Sequence, residues 1–178
     1  MKKARIAGLV TVLAVLALQP AQAQRQRVSP HEETSATVGG KKVTIEYGRP
    51  YLKGRKAVGG QLAPFDQVWR MGADEATLLT TEADLMIGDL KVPAGSYSLF
   101  AIPGEKAWTL IVNKTAKQWG AFKYDQGTDL GRTKMTVAST SSPVEQFTIK
   151  LDPKGSNAAT LTLEWENTRA TVPVKVAE

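Results

Sequence analysis

The sequence predicts an all-β fold, a single antiparallel β-sandwich or flattened barrel of roughly eight to ten strands. Three observations support this prediction. Apolar and polar residues alternate in short runs, which is the period of a strand with one buried face. Glycine, proline, asparagine and aspartate separate these runs. No amphipathic pattern beyond residue 23 is long enough for a substantial helix, so we expect little helix.

The predicted elements follow in order along the chain. The first strand contains Val43, Ile45 and Tyr47 and ends at Pro50, which cannot donate to a strand ladder. A long polar loop region follows, in which residues 64–69 are expected to form one helical turn. Further strands are predicted at 77–81, 84–87, 96–102, 108–112, 135–137, 147–151, 161–165 and 172–176. The strands at 96–102 and 108–112 are expected to form a hairpin.

The first 23 residues have the pattern of a secretory signal peptide. Basic residues precede an apolar run from Ile6 to Leu18, and Ala21-Gln22-Ala23 is a small-x-small cleavage site. The run is shorter than the ~18 apolar residues that a membrane span needs. We therefore expect an exported protein, periplasmic or extracellular, without stable membrane insertion after cleavage. Residues 24–40 are predicted to be a polar lead-in, and residues 41–178 to be the β-sandwich domain.

Charge and composition exclude several kinds of site. Removing the signal peptide lowers the excess of basic over acidic residues from 6 to 3, so no nucleic-acid partner is expected. The absence of cysteine excludes thiol catalysis and cysteine-ligated metals. His31 is the single histidine, which excludes a metal site with more than one imidazole from one chain. The sequence therefore predicts no metal and no cofactor, and it does not determine the oligomeric state.

The segment from Tyr47 to Thr77 concentrates the residues that most resemble a ligand-binding cluster. Arginine presents a planar fork of five donors that suits carboxylates and phosphates. Arginines converging between aromatic walls would hold a small polar or anionic ligand, or an envelope component. The alternative is that each arginine fixes a loop by binding a carboxylate or a backbone carbonyl. The candidate ligand-binding residues are Arg49, Tyr51, Arg55, Trp69, Arg70, Asp74 and Glu75.

Two other functions stay open. A hydrolase-like enzyme would use Asp74, Glu75 or His31 as its acid–base group, with arginine stabilising the developing charge. Adjacent residues of a strand point to opposite faces, so Asp74 and Glu75 are not expected to act as a pair. His31 lies in the polar lead-in, where a solvated or capping role is the alternative. No residue is assigned as catalytic, and a structural or interaction module is the remaining possibility.

Several motifs resemble those of a known family. They are SPHEE, YGRPYLKGR, VWRMGADEAT, VPAGSYSLFAIPG, WTLIVNK and WGAFKYD. The chain resembles, from Ser29 to about Val176, the uncharacterised exported domains grouped as domain-of-unknown-function family 2911. This resemblance implies an exported, mostly β protein of unsettled activity and transfers no catalytic residue. Asp74 stands where the family's GANEAT string has asparagine, so an acceptor-only carboxylate replaces a group that can also donate.

Overall fold

Nine β-strands form the part of the protein that the computed structural model describes, residues 28–177. The predicted signal peptide lies outside these residues and stays a prediction. Within them, the only helical element is a short 3₁₀ turn at Gln126–Thr128. The strands are β1 (His31–Val38), β2 (Lys41–Gly48), β3 (Thr77–Thr81), β4 (Leu85–Ile87), β5 (Leu90–Val92), β6 (Gly95–Ile102), β7 (Ala107–Asn113), β8 (Asp129–Pro153) and β9 (Ala158–Val176).

The strands form one antiparallel sheet in the order β1-β2-β3-β6-β7-β8-β9-β4-β5. It is not closed into a barrel, because β1 and β5 are its two edges. The sheet folds over a shared apolar core to which residues from both of its halves contribute. The Tyr47 hydroxyl joins the halves, since it donates to the Ile149 carbonyl at 3.2 Å and accepts from the Ile149 N–H at 2.9 Å. The all-β class and the scarcity of helix are confirmed.

β8 and β9 differ from the sequence-based expectation in length. Each was expected as two short strands, whereas the structure has single strands of 25 and 19 residues. Their mutual register shifts between Ser139 and Val144 and again between Val144 and Thr148. Such irregularities let a strand bend and continue. The polar stretch in β8 therefore marks a bend in a paired strand and not a break between two strands.

The described sheet starts nearer the N-terminus than the sequence predicted, because β1 precedes the first predicted strand. Residues 31–38, expected within the polar lead-in, form an edge strand paired along its length with β2. Only Ala36 and Val38 of this strand are buried, because an edge strand can leave most of its side chains in solvent. The apolar signal was therefore too weak to separate β1 from a loop. The described sheet therefore includes His31–Val38, which the sequence analysis placed in the lead-in before residue 41.

The long loop region between β2 and β3 is fixed to the sheet by Trp69. Its backbone exchanges hydrogen bonds of 2.8 and 2.9 Å with Ala101 of β6. The Trp69 ring is buried, stacks on Trp165 and makes edge contacts with Trp108 and Phe147. The helical turn expected at 64–69 is absent, since turns and isolated bridges occupy these positions.

Residues 28–177 include no helix long and apolar enough to cross a membrane.

Candidate functional site

The loop before β3 crosses the end of β2 in close backbone contact. A Cβ atom at Gly48 would lie 2.3 Å from the Ala73 carbonyl oxygen, so only glycine allows this crossing. The Ala73 N–H points to the Gly48 carbonyl at 3.3 Å. Gly48 is also the register partner of His31 on β1. The crossing therefore carries residues 73–75 to the start of β1.

A second loop supports the same segment from the other side. Glu75 forms an isolated antiparallel bridge with Trp119. The Gly120 N–H donates to the Asp74 carbonyl at 3.0 Å, and the Ala76 N–H donates to the Gln118 carbonyl at 2.9 Å. These bonds fix the backbone that carries both acidic side chains.

His31, Asp74 and Glu75 form a cluster that we call the acid–imidazole cluster. The His31 Nε2 atom lies 3.2 Å from Asp74 Oδ2 and 3.4 Å from Glu75 Oε2. The three side chains expose 27, 27 and 35% of their surface respectively, so all are partly shielded from solvent. Each offers one oxygen or nitrogen within 4.8 Å of the others, which is close enough for a shared cation or proton.

The sequence-based expectation that Asp74 and Glu75 point to opposite faces is not met, since both carboxylates reach His31. It assumed the alternating directions of a strand, but Asp74 has φ = 62° and occupies a left-handed turn. Met71, in the same loop, also has a positive φ of 56°. Non-glycine residues in this region carry a cost of about 1–3 kcal/mol and occur often at functional sites. The turn brings both carboxylates to the same imidazole.

A cleft of about 400 Å³ opens beside the acid–imidazole cluster. This volume falls within the range of small-molecule sites, about 300–1,000 Å³. The cleft combines carboxylates, an imidazole, an ammonium group and apolar side chains. Its lining includes His31, Glu46, Tyr47, Glu75, Leu78 and Lys117.

Arg49 and Arg55 make contacts within the fold. Arg49 donates from Nε to the Phe147 carbonyl at 3.1 Å and from Nη2 to Thr148 Oγ1 at 2.8 Å, and its Nη1 pairs with Glu32. Arg55 donates to two carbonyls of its own loop, at 2.9 and 2.8 Å. Arg49 therefore ties the end of β2 to β8, and Arg55 closes its own turn. For these two arginines the geometry favours the loop-fixing alternative.

Arg70 differs from the other two arginines. Its Nε atom is buried, and it has no hydrogen-bond partner among the described residues. Burial lowers the pKa of Arg70 from its ordinary value, an effect that the nearby charge of Asp74 opposes. Arg70 thus places a partly desolvated positive charge near the acid–imidazole cluster.

The aromatic residues of the predicted cluster do not form one wall. Trp69 belongs to the core, whereas Tyr51 is 38% exposed and forms an isolated bridge with Gln146 of β8. Two large aromatic side chains that the sequence analysis did not assign to a site lie on the surface instead. They are Trp119, 60% exposed, and Phe122, 88% exposed.

Two polar residues that line the cleft, Glu46 and Lys117, were not predicted as site residues from the sequence. Glu46 points to solvent from β2, and its alternation with buried Ile45 and Tyr47 could have marked the exposed face. Lys117 lies in an irregular loop without a motif, so no sequence signal pointed to it. Both residues reach the cleft because the sheet pairs β2 with β3 and the loop after β7 packs beside them.

The family model described as "Protein of unknown function (DUF2911)" matches residues 29–174. The chain belongs to this family. The match to DUF2911 spans every segment that contributes to the cleft, from His31 to Lys117, and confirms the resemblance seen in the motifs. No curated protein and no solved structure matches the chain. The description of DUF2911 gives no activity.

Proposed function

We propose that the protein is an exported β domain that binds a small polar ligand or envelope component in the cleft beside the acid–imidazole cluster. The observation that carries the proposal is the convergence of His31, Glu75 and Lys117, from three separate segments, on one cleft of about 400 Å³. Polar, loop-borne residues on a rigid sheet are typical of binding sites. Export follows from the predicted signal peptide.

The chemistry of the lining favours a ligand rich in hydroxyl or amino groups. Glu46 and Glu75 offer carboxylate oxygens that accept hydrogen bonds, and Lys117 offers three donors. Ala76 and Leu78 supply apolar surface for the carbon skeleton of such a ligand. A sugar or an amino acid fits this combination. An anionic group would bind through Lys117, because Arg49 and Arg55 are engaged within the fold.

A thermal-shift screen tests this proposal. The mature protein is heated with sugars, amino acids, inorganic phosphate and citrate, in one series with EDTA and in a second series without it. A ligand at about 100 times its Kd adds about 2.7 kcal/mol to the free energy of unfolding, which gives a clear rise in Tm. We expect a responding compound to lose most of its shift in Lys117→Gln and in Glu46→Gln.

The matched control is Lys123→Gln, which alters an exposed lysine outside the cleft. It should keep the full shift. No response to any compound class, or equal losses in Lys117→Gln and Lys123→Gln, would contradict binding in the cleft.

A hydrolase-like enzyme is the second candidate, and the contacts of His31 with both carboxylates favour it. An imidazole close to a carboxylate is the arrangement of a general base with its orienting acid. The test is turnover of nitrophenyl esters, glycosides and phosphates by the wild-type protein and by His31→Ala. We expect hydrolysis of one class that His31→Ala lowers by at least about 100-fold. Rates equal to those in buffer would refute this candidate.

A further inference from the structure

We infer that His31, Asp74 and Glu75 together bind a divalent transition-metal ion. The inference rests on the cleft proposed as the ligand site, and it names a cation as part of that site. Imidazole nitrogen and carboxylate oxygen are the donors that zinc and related ions take in the absence of thiolates. The three donors come from β1 and from the loop before β3, and the fold brings them together.

The distances agree with a shared ion. A tetrahedral ion with metal–ligand bonds of about 2.0–2.1 Å holds its ligand atoms about 3.3 Å apart. The two distances from His31 Nε2, 3.2 Å to Asp74 Oδ2 and 3.4 Å to Glu75 Oε2, are close to this value. The third pair, one oxygen each of Asp74 and Glu75, lies within 4.8 Å, so the three atoms can approach one ion together.

The charge of the acid–imidazole cluster also favours a bound cation. Two carboxylates converge on one imidazole, and a divalent cation would offset the charge that the carboxylates bring together. One proton on His31 Nε2 can be directed at only one of the two carboxylate oxygens that lie near it. A metal ion, in contrast, contacts both oxygens and the nitrogen at once. A hydrogen bond between His31 and Asp74 without a metal ion is the alternative, and calorimetry separates the two.

Three protein ligands leave at least one position open on the ion. Catalytic and substrate-binding zinc sites share this arrangement, whereas structural zinc sites have four protein ligands. His31 and Glu75 line the cleft, so the open position can face a bound ligand. The ion would then contact a hydroxyl or carboxylate oxygen of that ligand. Arg70 and Lys117 add positive charge nearby, so we expect a Kd on the order of micromolar and not nanomolar.

Isothermal titration calorimetry with Zn²⁺, and separately with Mn²⁺, tests the inference on mature protein purified without a histidine tag. We expect one equivalent of metal to bind. Asp74→Asn, Glu75→Gln and His31→Ala should each weaken binding at least about tenfold, since each removes one ligand. The control is Glu33→Gln, which neutralises an exposed carboxylate on β1, the strand of His31. It should bind as the wild type does.

Two outcomes overturn the metal site. Absence of binding by the wild type would show that the cluster holds no such ion. Equal affinity in wild type and the three ligand variants would show that metal binds elsewhere on the surface. Circular dichroism of each variant establishes that it is folded before its affinity is compared. The calorimetry contains metal without ligand, and one series of the ligand screen contains EDTA, so metal binding and metal-free ligand binding are each tested without the other.

Discussion

At the scale of single residues, the site depends on backbone positions as much as on side chains. Gly48 permits the loop crossing, and Asp74 takes a left-handed conformation that turns its carboxylate towards His31. Arg49, by contrast, was a candidate ligand residue that the structure uses to join β2 to β8. These assignments lead to two predictions at this scale.

Gly48→Ala should disturb the acid–imidazole cluster. Its new methyl group would lie 2.3 Å from the Ala73 oxygen, so the loop must move, at a cost of about 1–3 kcal/mol. The NMR signals of the single imidazole, His31, should shift because Asp74 and Glu75 move away from it. The control is Gly40→Ala, which also replaces a glycine (φ = 75°) but meets nothing within 4 Å. Gly40→Ala should lose stability and keep the imidazole signals. Unchanged signals in Gly48→Ala would contradict the described crossing.

Arg49→Ala should act on stability and leave the cleft functional. It removes the donors to the Phe147 carbonyl and Thr148 Oγ1 and leaves partly buried acceptors without them. We expect the free energy of unfolding to fall by about 1–3 kcal/mol in urea denaturation. Zinc affinity should stay within a factor of two of the wild-type value. A variant with wild-type stability but no affinity for any cleft ligand would indicate that Arg49 is a ligand-binding residue.

At the scale of elements, the pairing of β8 with β9 forms the longest ladder of the sheet. Glu164 of β9 reinforces it on one face. Its carboxylate accepts from Lys150 Nζ of β8 at 2.7 Å and from Arg169 Nε of β9 at 2.6 Å. Desolvation alone would raise the pKa of Glu164, but the hydrogen bonds and charges of Lys150 and Arg169 together lower it below its ordinary value.

Glu164→Gln should therefore destabilise the fold in a pH-dependent way. A lowered folded-state pKa means that the ionised carboxylate stabilises the protein above its ordinary pKa of 4.5, and that this contribution is lost as pH falls through the folded value. We expect a loss of about 1–3 kcal/mol at pH 7 that shrinks below about pH 4.5, measured by urea denaturation. Glu105→Gln, at an exposed turn, is the control and should have little effect. A loss that does not change with pH would contradict the charged contacts.

The sequence predicted elements best where alternation and turn residues agree. Strands β3, β6 and β7 lie where the pattern placed them, because each has one buried face and ends at a turn. The bends of β8 and β9 were mistaken for strand ends, since a bulge and a loop both interrupt alternation. Strand β1 was not predicted because its pairing leaves most of its side chains in solvent. In both cases pairing across the sheet outweighs the local pattern.

At the scale of the whole molecule, the cleft joins segments that are distant in the sequence. Asp74 and Glu75 were predicted as site residues from their chemistry, whereas their contact with His31 follows from the β1–β2 register and the Gly48 crossing. Lys117 enters through the loop after β7. Such proximity depends on topology, which no local motif records. Arg49 and Arg55 make contacts within the fold, whereas Glu75 of the same Tyr47–Thr77 segment lines the cleft.

Export is a prediction at this scale. Cleavage after Ala23 should give a mature protein of 155 residues that begins at Gln24. Intact mass spectrometry of protein recovered from the periplasm or the medium, with cytoplasmic protein as control, measures this start. A product that keeps residues 1–23 and stays in the cytoplasm would contradict export.

NMR of the His31 imidazole tests most directly that the acid–imidazole cluster is the functional centre. The chain has one histidine, so in tag-free protein the imidazole ¹⁵N signals are assigned without ambiguity. The account predicts that Asp74→Asn and Glu75→Gln each shift these signals at fixed pH, and that one equivalent of Zn²⁺ shifts the Nε2 signal in the wild type. Signals equal to those of a free histidine, unchanged by either substitution and by zinc, would contradict it.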